Sequence, residues 1–200
     1  AIKMTLGWAH DTRNKAFFPD SGMLESLSVD TALPGSQITY YKLASQTNWY
    51  RSLLKIFTLS LDGTLSYGDA YGGTTGFPFF ENYYAGGIHS VRGYRSNTLG
   101  PQENDTAIGG AFSVTGSAEL LFTPPFMEEN SSFRMGTFFD IGNVYKDYQS
   151  FDAGELRYST GVSAVWLSPI GPLTFSLARA LNAQATDHTE VFQFSLGAVF

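Results

Sequence analysis

Cysteine is absent from this 200-residue sequence, and histidine occurs three times. The first absence excludes disulfides and thiolate metal sites. His10, His89 and His188 are scattered, with no i,i+4 pair, so no metal or other cofactor is expected. Charge is also scarce: Asp, Glu, Lys and Arg make up 15% of residues, and the acidic excess leaves a formal charge of −6. That balance argues against nucleic acid as a partner. No apolar run approaches the length of a membrane-spanning helix. The N-terminus lacks a signal-peptide pattern, which predicts a mature form or an excised piece of a longer chain. No serine stands in a nucleophile-elbow context, and carboxylates such as Asp62 and Glu119 pair by chance on any polar strand face. The expectation is a protein that is not an enzyme.

Aromatic residues, at 16%, and 21 glycines are abundant instead, a balance suited to a β-rich wall. Apolar groups alternate with small polar ones in nine segments: roughly 2–11, 23–33, 37–50, 55–69, 111–123, 133–146, 157–168, 172–181 and 190–200. In the fifth, Phe112, Val114, Ala118, Leu120 and Phe122 oppose Ser113, Thr115, Ser117 and Glu119; in the last, Phe192, Phe194, Leu196, Ala198 and Phe200 oppose Gln193, Ser195 and Gly197. A soluble sandwich would carry more Lys and Glu on its polar face. Rows of Ser, Thr and Gly opposite large apolar groups fit a wall between lipid and a wet lumen. The predicted fold is therefore an all-β, antiparallel transmembrane β-barrel of about eight or nine strands, occupying residues 1–200. Asp at lipid-facing Leu120 should impair insertion, whereas Asp at lumen-facing Ser117 should be tolerated.

Short and long connections alternate, as they do in outer-membrane barrels with short periplasmic turns and long external loops. By that rule the excursion from Tyr67 to Gly110 is extracellular, and a loop of this length in so small a domain requires a function. It carries Val91-Arg92-Gly93-Tyr94. Gly93 permits close backbone approach, and Arg92 supplies a planar five-donor fork that needs carboxylates in a narrow lumen. Inward parity places Glu119 and Asp140 on sequence-adjacent strands. Read from residues alone, Arg92 is equally well a solvated loop residue and both acids ordinary lumen charges. Trp8, Trp49, Trp166, Tyr50 and Tyr145 lie near strand ends and read as interface-girdle aromatics.

The Val91–Tyr94 motif resembles the loop motif of the BamA-like outer-membrane assembly factors. Four further landmarks follow in order: Phe17-Phe-Pro-Asp-Ser-Gly22, Phe139-Asp-Ile-Gly-Asn-Val144, Ser168-Pro-Ile-Gly-Pro-Leu173 and Phe192-Gln-Phe-Ser-Leu-Gly197. This resemblance implies the C-terminal part of a sixteen-stranded barrel, with the excursion at 68–110 folded back inside and its Arg92 received by Glu119 and Asp140. It further implies insertion of client β-barrel proteins into the bacterial outer membrane, with outer-membrane lipids and clients as partners. Accessory lipoproteins would be met through periplasmic domains that this chain lacks. The family's seam at the terminal strand, here Phe192, Phe194, Leu196, Gly197 and Phe200, would open to pair with a client; alternatively, Gly197 only makes room for lumen contents. The nearest rival readings are the pore of a related two-partner secretion transporter and an independent small barrel acting as a pore or adhesin. Nine antiparallel strands cannot close without a parallel seam. Closure is therefore expected either as eight strands with residues 2–11 outside the ring or as a homodimer through open strand edges.

Overall fold

A computed structural model describes residues 2–124 and 132–197. Nine strands form one antiparallel sheet: β1 (Lys3–Asp11), β2 (Ser21–Ala32), β3 (Tyr40–Leu54), β4 (Phe57–Ala70), β7 (Phe112–Phe122), β8 (Phe133–Tyr145), β9 (Arg157–Ser168), β10 (Gly171–Ala180) and β11 (Phe192–Leu196). Between β4 and β7, a two-residue hairpin of β5 (Gln102–Glu103) and β6 (Thr106–Ala107) lies within the long loop. Strand order follows chain order, so every connection joins neighbours. No helix among the described residues is long and apolar enough to cross a membrane, a statement that has no bearing on crossing by strands.

The alternation read from sequence sets the two faces. Leu61, Leu65, Phe139, Val162, Trp166 and Leu177 are exposed on the outer surface, while Thr58, Ser60, Ser66, Ser113, Ser159, Ser163, Thr174 and Ser176 are buried on the inner one. A one-residue slip would exchange the faces wholesale, which is why the pattern pins the register. Two of the five expected girdle aromatics do not sit in a girdle. Tyr145 is buried beneath the Phe151 ring, centroids 5.2 Å apart, and donates its hydroxyl to the Asp152 carbonyl at 2.8 Å. Tyr50 instead lines the lumen cavity.

Segment ends moved where turn chemistry outweighed alternation. The connection expected at Tyr50–Lys55 shrinks to the two residues Lys55 and Ile56, because β3 runs on to Leu54, which pairs with Phe57 beyond a bulge between Ser52 and Leu54. β3 begins at Tyr40, since the Thr39 N–H leaves the ladder for Thr74 Oγ1 at 2.9 Å, although its carbonyl still accepts from the Tyr71 N–H, one rung beyond Tyr40–Ala70, at 3.1 Å. The last strand ends at Leu196; Gly197 follows with φ +141, a conformation open to glycine. A side chain there would meet nothing within 4 Å among the described residues, so in this structure it is the backbone conformation that favours glycine. Ala198 and Phe200 lie outside the described residues.

The expected eight-stranded ring with residues 2–11 outside it does not form. β1 pairs along its length with β2, from Lys3 opposite Ala32 to Asp11 opposite Leu24, and so occupies the edge that such a ring would need for β11. Nine strands instead make one continuous sheet whose outermost members are β1 and β11.

Candidate functional site: the loop inside the barrel

Register brings the acceptors together before the loop arrives. Ser117 on β7 lies opposite Asp140 on β8, which in turn lies opposite Ser159 on β9. Glu119 is one inward step along β7, and its carboxylate accepts from the Ser163 hydroxyl of β9. Gly136 makes this possible: a Cβ there would stand 2.5 Å from Glu119 Oε1.

Arg92 enters this cradle from the loop. Its main-chain N–H and Nε both donate to Asp140 Oδ2, at 3.0 and 2.8 Å, and Nη2 donates to Asp140 Oδ1 at 2.8 Å. Nη2 also reaches Ser117 Oγ at 3.0 Å, while Nη1 meets both Glu119 oxygens at 3.4 Å. Ser117 completes the ring by donating to Asp140 Oδ1 at 2.7 Å. The guanidinium carbon stands 3.4 Å from the centroid of the Phe138 ring, a cation–π contact strengthened by desolvation. Asp140 is fully buried, and its two oxygens take the guanidinium fork bidentately. Both acids thus receive Arg92, with Asp140 the principal partner and Glu119 a longer-range one.

Each other residue of the motif has its own seat. Val91 and Tyr94 are fully buried and form an apolar cluster with Ala85, Leu99 and Val144, against which Ala180 packs. Gly93 has φ +86, and a Cβ there would sit 3.2 Å from Ala178 Cβ and 3.3 Å from the Ala180 nitrogen. Only glycine permits that conformation at that distance from β10. The Tyr94 hydroxyl donates to the Tyr158 carbonyl at 3.3 Å and lies 3.2 Å from Asn182 Oδ1. The loop main chain then pairs with residues preceding β11: Arg95 N donates to the His188 carbonyl at 2.8 Å, and Glu190 N to the Gly93 carbonyl at 3.0 Å. The nearby Arg157–Asp187 pair, at 2.5 Å and buried on both sides, secures that same terminal connection.

Glu81 anchors the other end of the loop. Its carboxylate accepts from Lys3 on β1, from the Tyr40 hydroxyl at 2.7 Å and from Lys42 at 3.1 Å on β3. Burial alone would raise the Glu81 pKa, but the hydrogen bonds from Lys3, Tyr40 and Lys42 outweigh it and hold the group at about 2. A depressed folded pKa gives stabilisation that is complete above the ordinary value of 4.5, declines below it and is gone once the pH reaches about 2. Glu81→Gln is therefore expected to increase protease cleavage of residues 71–85 at neutral pH. Acidification of the unaltered protein should produce the same cleavage only as pH falls through that window, read by limited digestion with an acid-active protease.

The structure brings together Val91, Arg92, Gly93, Tyr94, Glu119 and Asp140, and it adds residues that alternation could not select. Phe138 breaks the polar row of the inner face, so parity alone reads it as an exception. Ser117 is an ordinary member of the inward row of its strand, and Ser163 is a buried inner-face residue of β9. Gln193 touches the loop although nothing in its sequence context distinguishes it from other lumen-facing positions. Ser117 is also poorly suited to Asp: a third carboxylate there would face Asp140 and displace the hydroxyl from Arg92, so its expected tolerance is withdrawn. Phe192, Phe194 and Leu196 face outward and are exposed. Among the described residues, no group of three or more His, Asp or Glu side chains is placed to hold a metal ion.

The Omp85 superfamily domain model matches residues 1–200. The outer membrane protein assembly factor BamA of Neisseria meningitidis is 38% identical over 99% of this chain, which spans 28% of that protein. A SAM50-like protein of Drosophila melanogaster is 32% identical over 64% of the chain and 29% of its own length. The crystal structure of BamA from Haemophilus ducreyi lacking POTRA domains 1–3 superposes with a TM-score of 0.88 at 30% identity, covering 96% of this chain and 41% of that one. The chain thus spans well under half the length of these relatives.

Proposed function

The chain belongs to the Omp85 superfamily, and from that premise we propose that it is the C-terminal barrel portion of a factor that folds and inserts β-barrel proteins into the bacterial outer membrane. The carrying observation is the edge position of the terminal strand. β11 is the last strand of the sheet and, among the described residues, pairs with β10 alone. An edge strand presents a row of unpaired N–H and C=O groups along its free side. A client's terminal strand can pair with that edge by β-augmentation, main-chain bonds supplying affinity without demanding one client sequence. The wall meets outer-membrane lipids through its apolar outer face, and accessory lipoproteins are engaged through periplasmic domains beyond this chain. No covalent step is involved, so no catalytic residue is assigned.

The test uses the full-length protein that contains this chain, reconstituted in liposomes. It is expected to accelerate insertion of a urea-unfolded client barrel, scored by acquisition of protease resistance and the heat-modifiable gel shift, while the isolated 200-residue chain folds without accelerating it. Failure of the full-length protein to accelerate insertion, together with translocation of a soluble exoprotein, would replace this reading with the secretion pore.

A further inference from the structure

Arg92 ties the long loop to β7 and β8, and the loop has a second set of contacts, to the terminal strand β11. Gln193, the central lumen-facing residue of β11, is 5% exposed. Its Nε2 donates to the Tyr94 carbonyl at 2.8 Å, and its Oε1 accepts from the Gly93 N–H at 3.3 Å. Main-chain groups can play only one role each, so these two partners define which end of the amide is oxygen. The side chain therefore reads the Gly93–Tyr94 backbone as a neighbouring strand would. Nε2 also lies 3.3 Å from Glu190 Oε2, beside the place where Glu190 N meets the Gly93 carbonyl. At the next inward position of β11, Ser195 Oγ lies 3.1 Å from His89 Nε2. Both described side chains on the inner face of the terminal strand thus meet the loop.

We propose that Gln193 is a positioning residue that couples the terminal strand to the Val91–Tyr94 loop, so that displacing β11 and releasing the loop are one event. Arg92 and Gly93 are consecutive; one is bound to β7 and β8 and the other to β11. A peptide anchored in this way is a strut along the inner wall, tying β7 and β8 to β11 over the intervening β9 and β10. Swinging β11 outward must either break the Gln193 amide contacts or drag Gly93 from its close seat against Ala178 and Ala180 of β10. The coupling requires a discrete element with two arrangements, loop docked and loop released, whose balance both contact sets bias. This inference rests on the proposed role of β11 as the client-pairing edge, but the coupling itself is measurable without any client.

The experiment is hydrogen exchange on the full-length protein in lipid nanodiscs, following peptides that cover 86–99, β10 and β11. Gln193→Leu keeps the volume and removes both amide functions. It is expected to raise exchange in 86–99 and in β11 together by about tenfold, as loss of two hydrogen bonds to fixed backbone groups implies. Gln193→Glu keeps the acceptor for Gly93 but loses the donor to Tyr94. Because its second oxygen would face the Tyr94 carbonyl and Glu190 Oε2, it should raise exchange over the same two segments at least as much, and it supplies the reading if Gln193→Leu does not fold. Ser195→Ala, which leaves the amide clamp in place, should change the loop less than either. Faster exchange confined to β10 and β11 would mean that Gln193 only packs its own strand and would overturn the proposal, as would loop exchange unchanged in both Gln193 variants. Coupled exchange accompanied by no client insertion would retain the strut while removing the assembly reading.

Discussion

Arg92→Ala is expected to destabilise the membrane-embedded protein by about 3–5 kcal/mol, the usual consequence of removing one partner from a buried ion pair, and to open residues 86–99 to protease. Two effects add. The fully buried Asp140 loses the donors that compensate its desolvation, and Phe138 loses the cation that covers its ring. Arg95→Ala is the control: Arg95 is exposed and contributes its main chain to the His188 pairing, which alanine preserves. Asp140→Asn should approach the effect of Arg92→Ala, whereas Glu119→Gln, whose contacts to Arg92 are 3.4 Å long, should cost clearly less. Thermal unfolding in detergent and limited proteolysis decide the order. Equal midpoints for Arg92→Ala and Arg95→Ala would remove the special role given to the motif arginine.

A cation on the outer face is expected to be nearly as damaging. Leu61 lies in the middle of β4 between Trp49 and Ala118, exposed on the outer surface. Leu61→Lys should cost about 2–4 kcal/mol if the site lies near the bilayer midplane. Thr64→Lys, three residues along the same strand but on the inner face, should be close to neutral, because a lumen cavity of about 310 Å³ borders Thr64 and gives the side chain space. The measurement is the folded fraction against urea in lipid vesicles. Equal loss for both substitutions, or the reverse order, would invert the face assignment on which the whole barrel reading stands.

The acid pair and the loop motif were legible in the sequence to different degrees. Parity along two adjacent strands sufficed to aim Glu119 and Asp140 inward, because strand geometry leaves a side chain only two directions. That both accept from Arg92 came from the resemblance, since parity is silent about what fills the lumen. The unequal shares of the two acids depend on register: Ser117 sits opposite Asp140, whereas Glu119 sits opposite Phe138. Gln193 escaped notice for a related reason. It is separated from Gly93 by 100 residues, and a polar residue on an inward row looks the same whether it meets solvent or a folded loop. Tyr145 was misassigned because proximity to a strand end does not tell which face a ring will choose once a neighbouring loop supplies Phe151 and a carbonyl.

Period-2 alternation, turn residues and the order of short and long connections were sufficient to determine an antiparallel membrane wall, its two faces and the side from which the long loop leaves. Those properties follow from local geometry, in which each residue's direction is set by its immediate neighbours. The tertiary structure alone decided how the sheet ends and where the loop lies. β1 occupies the edge of β2, and the loop lies against the inner wall between the acids of β7 and β8 and the amide of Gln193 on β11. Those outcomes depend on contacts between residues far apart in the chain, whose strength comes from burying charge and backbone together; no local pattern encodes which distant partner will satisfy them.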